Sequence, residues 1–336
     1  MPLKSTNEPQ STVLRDVEGQ QLPGAQDMEW ASDLLDRVVG NVCKAVIGKE
    51  SAVMSVLTAR CARGHVRLED HPGVGKTLIA RSFARSLSVD VGRVQYTPDV
   101  VPSDVTGSVI FSRREEDFKF RPGPVFTNIL LADEVNRGTP RTQSSLLEAM
   151  EELAVTVDDV RYELPVPFFV IATQNPLELH GTFPLPESQL DRFMMRISVG
   201  YPNRASEDRI IQTYCKEDPV AHLKPVATRD DMIRLLDVVS SVYIGNNARA
   251  YLLNLVQEIR TDSRVRMGVS PRASISLARA SQARALINGR DSVLPEDIKT
   301  LAVPVLAHRI VPHSHSDNPS AMLQEYLDRV PISVAE

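Results

Sequence analysis

Between residues 65 and 200 short apolar runs alternate with stretches of helical periodicity. The runs at 65–69, 93–96, 129–133, 168–173 and 193–199 read as strands. Those at 129–133 and 168–173 are almost continuously apolar. Strands covered on both faces look like that, as in a parallel sheet sandwiched by helices. Arg67 interrupts the first run and is expected to snorkel from a sheet edge. The string GSVIFSRREEDFKFRP, residues 107–122, has another character. Two alternating segments, 108–112 and 117–121, flank a charged turn, which predicts a β-hairpin inserted into a helical layer. After Pro202 the chain becomes nearly all helical, with apolar stripes over 230–242, 248–263, 273–288 and 295–309. Asn288 and Gly289 suit a helix stop. The pattern thus predicts an α/β domain over residues 29–202 with a five-stranded parallel sheet, and a smaller all-α domain over 203–312. Residues 1–28 are rich in Gln, Ser, Pro and Gly and are expected to be a flexible arm, with helical periodicity beginning near Trp30, Leu34 and Leu35. Residues 313–336 are expected to be a tail carrying one short amphipathic stretch at Met322, Leu323, Tyr326 and Leu327.

Of the 336 residues, 42% are apolar and 24% charged, the balance of a soluble globular protein. A formal net charge of −5 is not that of a general nucleic-acid binder, so no nucleic-acid partner is expected. The three cysteines, Cys43, Cys61 and Cys215, form no CxxC pair, which argues against a disulfide framework and against zinc. His313 and His315 form an HSH run that reads as solvated tail. The first thirty residues are polar and no run of eighteen apolar residues occurs, so neither a signal peptide nor a membrane span is expected, and the cytoplasm is the expected location.

Five features carry chemistry. The first is HPGVGKT, residues 71–77, placed after a predicted strand and opening a helix. A P-loop needs that context: Gly73 and Gly75 let backbone N–H groups around Val74 curl toward phosphate oxygens. Lys76 is expected to reach the β- and γ-phosphates and Thr77 to place a hydroxyl on Mg²⁺. The helix continuing from Leu78 sets a positive dipole end beneath the anion. The bland reading is a Gly-Pro turn before a helix, whose buried stripe would be Ile79, Phe83 and Leu87. The strict pattern also places glycine at residue 70, where this chain has Asp70. The second feature is ILLADE, a buried strand ending in two acids. Asp133 is expected to hold the metal and Glu134 to act as general base. Alone, such a pair is usually a solvated helix start; with a P-loop upstream the balance reverses. The third is ATQNP, where Asn175 is placed to hold an attacking water, the alternative being a strand-ending turn. The fourth is PESQLDRF, where Arg192 is an arginine-finger candidate acting in trans, the alternative being a surface salt bridge with Asp191 or Glu187. The fifth is SPRA, where Arg272 opens a helix. A cation there is mildly unfavourable to the helix, which tilts the reading toward function.

In this order the five features resemble the AAA+ ATPases. The strings LLADEVNRGTPRTQSSLLEAMEE, ATQNPLELHGTFPLPESQLDRFMMRI, RVQYTPDVVPSDVTGSVIF and VLPEDIKTLAVPVLAHRI are similar to the MoxR family within that group. The resemblance covers roughly residues 30–312. It implies an AAA+ P-loop core with a helix-2 β-hairpin insertion facing a central pore, plus a helical lid. It also implies an ATP-dependent homo-oligomer, usually a hexameric ring. Such proteins act as chaperone or remodelling motors on a client protein, or in maturation and metal insertion of a partner enzyme, often with a von Willebrand factor A-domain protein. ATP and Mg²⁺ are the implied cofactors. Carried over, Walker A is Gly73–Thr77, Walker B is Asp133 and Glu134, sensor 1 is Asn175, the finger is Arg192 and sensor 2 is Arg272, in cis or in trans. Val46, Ile47 and Gly48 are implied to line the adenine pocket, the alternative being a helix-to-helix turn. A metal-chelatase motor subunit, a nucleotide-regulated scaffold with little turnover and a DNA motor are the rival readings. The acidic balance counts against the last.

Overall fold

The computed structural model describes residues 23–332 apart from 72, 115, 176–180 and 315. Most of the predicted arm and the second histidine of the HSH run therefore lie outside the described residues. Helix α1 (Ala25–Ala45) begins inside the span assigned to the arm and buries Leu34, Leu35, Val38 and Val42. Helix α2 (Glu50–Cys61) is buried on nearly all sides, because β1 (His65–Glu69) flanks it on one side and the helical domain on the other. There follow α3 (Lys76–Ser86), β2 (Val91–Gln95), α4 (Pro102–Thr106) and the antiparallel hairpin β3 (Gly107–Ser112) and β4 (Asp117–Pro122). Next come β5 (Ile129–Asp133), α5 (Pro140–Glu152), a second hairpin β6 (Ala154–Val157) and β7 (Val160–Glu163), and β8 (Phe169–Gln174). The short α6 (Glu187–Leu190) and β9 (Phe193–Ile197) complete the first domain.

The five sheet strands pair in the order β2-β5-β8-β1-β9, all parallel. The continuous apolar runs divide by period two, as strand geometry requires. Ile129, Leu131, Phe169 and Ile171 join the core shared with α1, α2, α3 and the helical domain. Leu130, Ala132, Val170 and Ala172 join a second core, under Leu146, Leu147 and Met150 of α5. Truncating a residue such as Leu131 to alanine would cost about 2–5 kcal/mol, since neither layer can collapse onto the gap. Arg67 is not at an edge: β1 lies between β8 and β9. Its buried guanidinium donates to Gln174 Oε1 at 3.0 Å and to Glu69 Oε2 at 3.2 Å, in-sheet partners that offset part of the desolvation an edge was expected to avoid; burial still lowers its pKa.

Helix α7 (Arg204–Tyr214) opens the helical part, followed by α8 (Arg229–Ser240) and α9 (Asn246–Thr261). Strand β10 (Val265–Met267) then leads to α10 (Pro271–Ile287) and α11 (Pro295–Leu306). Strand β11 (Val311–Pro312) pairs antiparallel with β10 before α12 (Pro319–Arg329). Gly289, at φ +70°, ends α10 in the left-handed region. The segment expected to be a tail holds α12, which buries Met322, Leu323, Tyr326 and Leu327 in the same core as α9 and α11. Among the described residues no helix is long and apolar enough to cross a membrane.

Candidate active site

In a parallel sheet the strand ends decide where chemistry sits. Register pairs Gln95 with Asp133, Ala132 with Ala172, and Glu69 with Gln174, so β2, β5, β8 and β1 end nearly level. Their outgoing loops border one cleft of about 400 Å³, lined by Gly73, Gly75, Lys76, Thr77, Leu78, Arg81, Asp133, Glu134, Thr173 and Asn175. Gly73 and Gly75 have φ of +80° and +99°, while a Cβ at either would meet no atom closer than 4.0 Å. Backbone conformation rather than crowding demands glycine there. Lys76 Nζ donates to the carbonyls of Asp70 at 2.7 Å and Gln174 at 3.3 Å.

The two strand-end acids are held by one hydroxyl. Thr173, fully buried, donates through Oγ1 to Asp133 Oδ1 at 2.5 Å and accepts the Glu134 amide at 2.9 Å. Asp133 Oδ2 also accepts from Arg93 Nη2 at 2.8 Å. Glu134 sits in the left-handed region at φ +55°, a costly conformation for a residue with a Cβ. That turn sends its side chain away from Asp133, to where Gln95 Nε2 and Arg137 Nη1 each donate to Oε2 at 3.0 Å. Asn175 is buried at the end of β8 on the same cleft. The donor set fits magnesium: a strand-end carboxylate and the Thr77 hydroxyl are hard oxygen ligands on one wall, and Mg²⁺ needs few protein ligands when phosphates and water supply the others.

A second cleft of about 390 Å³ adjoins the first across Gly73, Gly75 and Leu78. Its walls are mainly apolar: Val46, Ile47, Val74, Tyr201, Ile210 and Tyr214, with Lys49 and Glu207 at polar positions. Gly48 is not on that wall. At φ +71° it packs against α7, where a Cβ would lie 2.3 Å from Ser206 Oγ. Asp70 turns away from both clefts. Burial alone would raise its pKa, but bonds from the Gly200 amide, the Ser198 hydroxyl and the His71 amide outweigh that and hold it below the usual carboxylate range.

Arg192 and Arg272 do not line the cleft that holds Lys76 and Asp133. They meet each other instead, in a cavity of about 220 Å³ that also includes Arg63, His65 and Arg279. Glu151, near the C-terminus of α5, takes Arg192 Nη2 at 3.1 Å on one carboxylate oxygen and Arg272 Nη2 on the other. Arg192 Nη1 also donates to the Leu147 carbonyl at 2.6 Å. The surface pairing weighed for Arg192 is thus with neither Asp191 nor Glu187: Asp191 lies 2.8 Å from Arg309 Nε, and Glu187 faces Arg266. Sequence reasoning assigned no role to Thr173, Arg93, Gln95, Arg137 or Glu151. The strand-end position of Gln95 beside the acids was the readable signal for one of them.

Residues 65–195 match the family model described as ATPase family associated with various cellular activities (AAA), and residues 257–326 match the AAA lid domain. The uncharacterized protein YeaC of Bacillus subtilis is 44% identical over 305 residues, covering 90% of this chain and 95% of the relative. Chaperone MoxR1 of Mycobacterium tuberculosis is 37% identical, covering 86% of this chain and 78% of the relative. The crystal structure of a candidate ATPase from Cytophaga hutchinsonii superposes with a TM-score of 0.86 at 35% identity, covering 92% of this chain and 98% of the other.

Proposed function

The chain belongs to the MoxR family of AAA+ ATPases, and from that premise we propose that it binds ATP with magnesium, hydrolyses it between neighbouring copies, and uses the cycle to remodel a client protein. One observation carries the reading: Lys76, Asp133, Glu134 and Asn175 share a single cleft at the level ends of parallel strands. In this reading the adenine lies against Val46, Ile47 and Tyr214, and the amides from Gly73 to Gly75 cradle the phosphates. Lys76 leaves the Asp70 carbonyl for phosphate oxygens. Thr77 and Asp133 would hold a magnesium ion, which would supply charge neutralisation at the transferred phosphoryl group. Glu134 takes the proton of the attacking water, and Asn175 orients that water.

Arg192 and Arg272, paired on a different face, serve the nucleotide of an adjacent copy. Their separation from the phosphate cleft supports that placement. A ring is the arrangement this requires, and we take six copies as its size. The chaperone role is supported by the relative named Chaperone MoxR1 and by the hairpin β3–β4, where Ile110, Phe111 and Phe118 are exposed and the two Phe rings meet edge to face at 5.3 Å. Exposed aromatics on a polar hairpin suit transient contact with unfolded apolar segments. A von Willebrand factor A-domain partner and a role in metal insertion remain part of this proposal.

Steady-state ATP hydrolysis tests it. Lys76→Ala is expected to abolish nucleotide binding, whereas Glu134→Gln keeps binding and loses hydrolysis. Arg192→Ala is expected to lose about 10³–10⁵ in rate. Mixing Arg192→Ala with Glu134→Gln copies should restore part of the activity, because some interfaces then receive an intact finger and an intact base. No restoration, or full activity in Glu134→Gln, would refute the assignment.

A further inference from the structure

We infer that Asp70 is a positioning residue that pins the entrance of the phosphate loop to the linker between the two domains. The inference rests on the nucleotide reading and adds to it a route from the loop to the helical domain. An aspartate that was merely tolerated at a glycine position would leave its carboxylate in water. Here it is buried, and Oδ2 accepts from the Gly200 amide at 2.5 Å and the Ser198 hydroxyl at 2.9 Å. Its other oxygen takes the His71 amide at 2.9 Å. Bonds from amides to a carboxylate are among the strong ones in proteins. The next residue repeats the connection: the His71 ring stacks on Tyr201 with centroids 5.6 Å apart and planes 20° from parallel.

The chain passes from β9 to α7 through residues 198–203, and Tyr201 and α7 form one wall of the apolar cleft. From the other side Lys49 Nζ donates to the carbonyls of Val199 at 3.2 Å and Gly200 at 2.6 Å. The linker is therefore gripped at two points, one of them the residue just before the phosphate loop. The main chain of Asp70 completes the path. Its amide donates to the Gln174 carbonyl at 3.2 Å, and its carbonyl accepts from Lys76 Nζ at 2.7 Å. A phosphate group that draws Lys76 away acts directly on the residue that holds the linker.

The test compares the unaltered chain with Asp70→Gly and Ser198→Ala. Hydrogen exchange of peptides spanning 198–203 is measured with and without magnesium and a non-hydrolysable ATP analogue. Nucleotide affinity is measured separately with a fluorescent ATP analogue. Asp70 lines neither cleft, so restoring the glycine is expected to leave affinity within about threefold. The linker amides should exchange about ten- to a hundredfold faster, from the loss of the buried charged acceptor. They should also lose most of the slowing that nucleotide causes in the unaltered chain. Ser198→Ala keeps the Gly200 bond and the loop sequence, and is expected to shift exchange the same way by at most about tenfold. Linker exchange in Asp70→Gly equal to that of the unaltered chain in both conditions overturns the inference. If that variant does not fold, unchanged exchange in Ser198→Ala overturns it instead. Failure of the unaltered chain to bind the fluorescent analogue would overturn the nucleotide reading, and is seen in a different measurement.

Discussion

Replacing Thr173 by valine isolates the one hydroxyl that holds both strand-end acids. Valine matches threonine in shape and suits a strand, so packing in the sheet is kept and the change is confined to hydrogen bonding. Two bonds disappear, one to the Asp133 carboxylate and one from the Glu134 amide. A bond to a charged acceptor contributes about 1.5–3 kcal/mol and an orphaned buried amide costs about 1–3 kcal/mol. Asp133 retains Arg93, which moderates the first loss. A net destabilisation of about 2–4 kcal/mol follows, or a fall in Tm of about 3–6 °C for a chain of this length. The effect on chemistry is larger. Glu134 is held at φ +55° partly by the bond its amide makes, and without it that residue relaxes toward an ordinary conformation. If Glu134 is the base proposed above, a displacement of about 1 Å lowers kcat about a hundredfold. Thr173→Ser keeps the hydroxyl and is expected to stay within about tenfold of the unaltered rate. The assay is ATP hydrolysis against magnesium concentration, beside thermal unfolding of the same preparations. Hydrolysis at full kcat in Thr173→Val, or serine behaving as badly as valine, would refute the reasoning.

The strands at 65–69 and 129–133 were legible to the residue, the second because an apolar run bounded by charge has few other readings and the first, despite Arg67 at its centre, because the glycine loop that follows it marks its end. The hairpin at 107–122 was legible from another signal, two alternating segments on either side of a charged turn. The hairpin β6–β7 was not: only four residues long on each side, it takes its order from Phe120 of the first hairpin, whose ring stacks on Tyr162 at 3.9 Å. No local pattern encodes such a contact. Helix α12 was half legible, since four apolar residues announced a stripe but not the surface that it covers. At the site, motif spacing picked out residues that line the cleft and missed those that hold them: Thr173 and Gln95 reach Glu134 from other strands, and Arg137, though near it in sequence, belongs to no motif. Glu151 and Arg272 make the point physically. Each is mildly unfavourable to its own helix, an acid in the last turn of α5 and a base in the first turn of α10. The sequence showed the second misfit but not that the first one answers it.

Three further outcomes are expected. His65 is buried, accepting the Val170 amide on Nδ1 and reaching the Met150 carbonyl from Nε2, and desolvation lowers its pKa to about 4. The unfolded chain thus binds a proton below about pH 6.5 that the folded chain refuses until about pH 4. The contribution of His65 to stability is accordingly constant above neutrality and falls by about 3 kcal/mol across that window, measurable as the denaturant midpoint against pH. His308, lowered in the same direction by burial, steepens the fall. In the helical domain Asp297 is buried, binds Arg290 through both oxygens at 2.8 and 2.6 Å and accepts the Leu294 amide. Asp297→Ala should lower stability by about 2–3 kcal/mol in thermal unfolding, since it orphans the Leu294 amide and takes the carboxylate from the partly exposed Arg290. Glu151→Gln should behave in the opposite way. All three side chains of its cluster are partly exposed, so each of the two ion pairs is worth at most about 1 kcal/mol and Tm should move by no more than about 3 °C. What the change removes is the counterion shared by Arg192 and Arg272. If those arginines are destined for a neighbour's phosphates, Glu151 competes with that neighbour. In a Glu134→Gln background with ATP, Glu151→Gln copies should then assemble at about three- to tenfold lower protein concentration by light scattering, an effect that weakens with salt. A large fall in Tm with no change in assembly would make Glu151 a structural brace and nothing more.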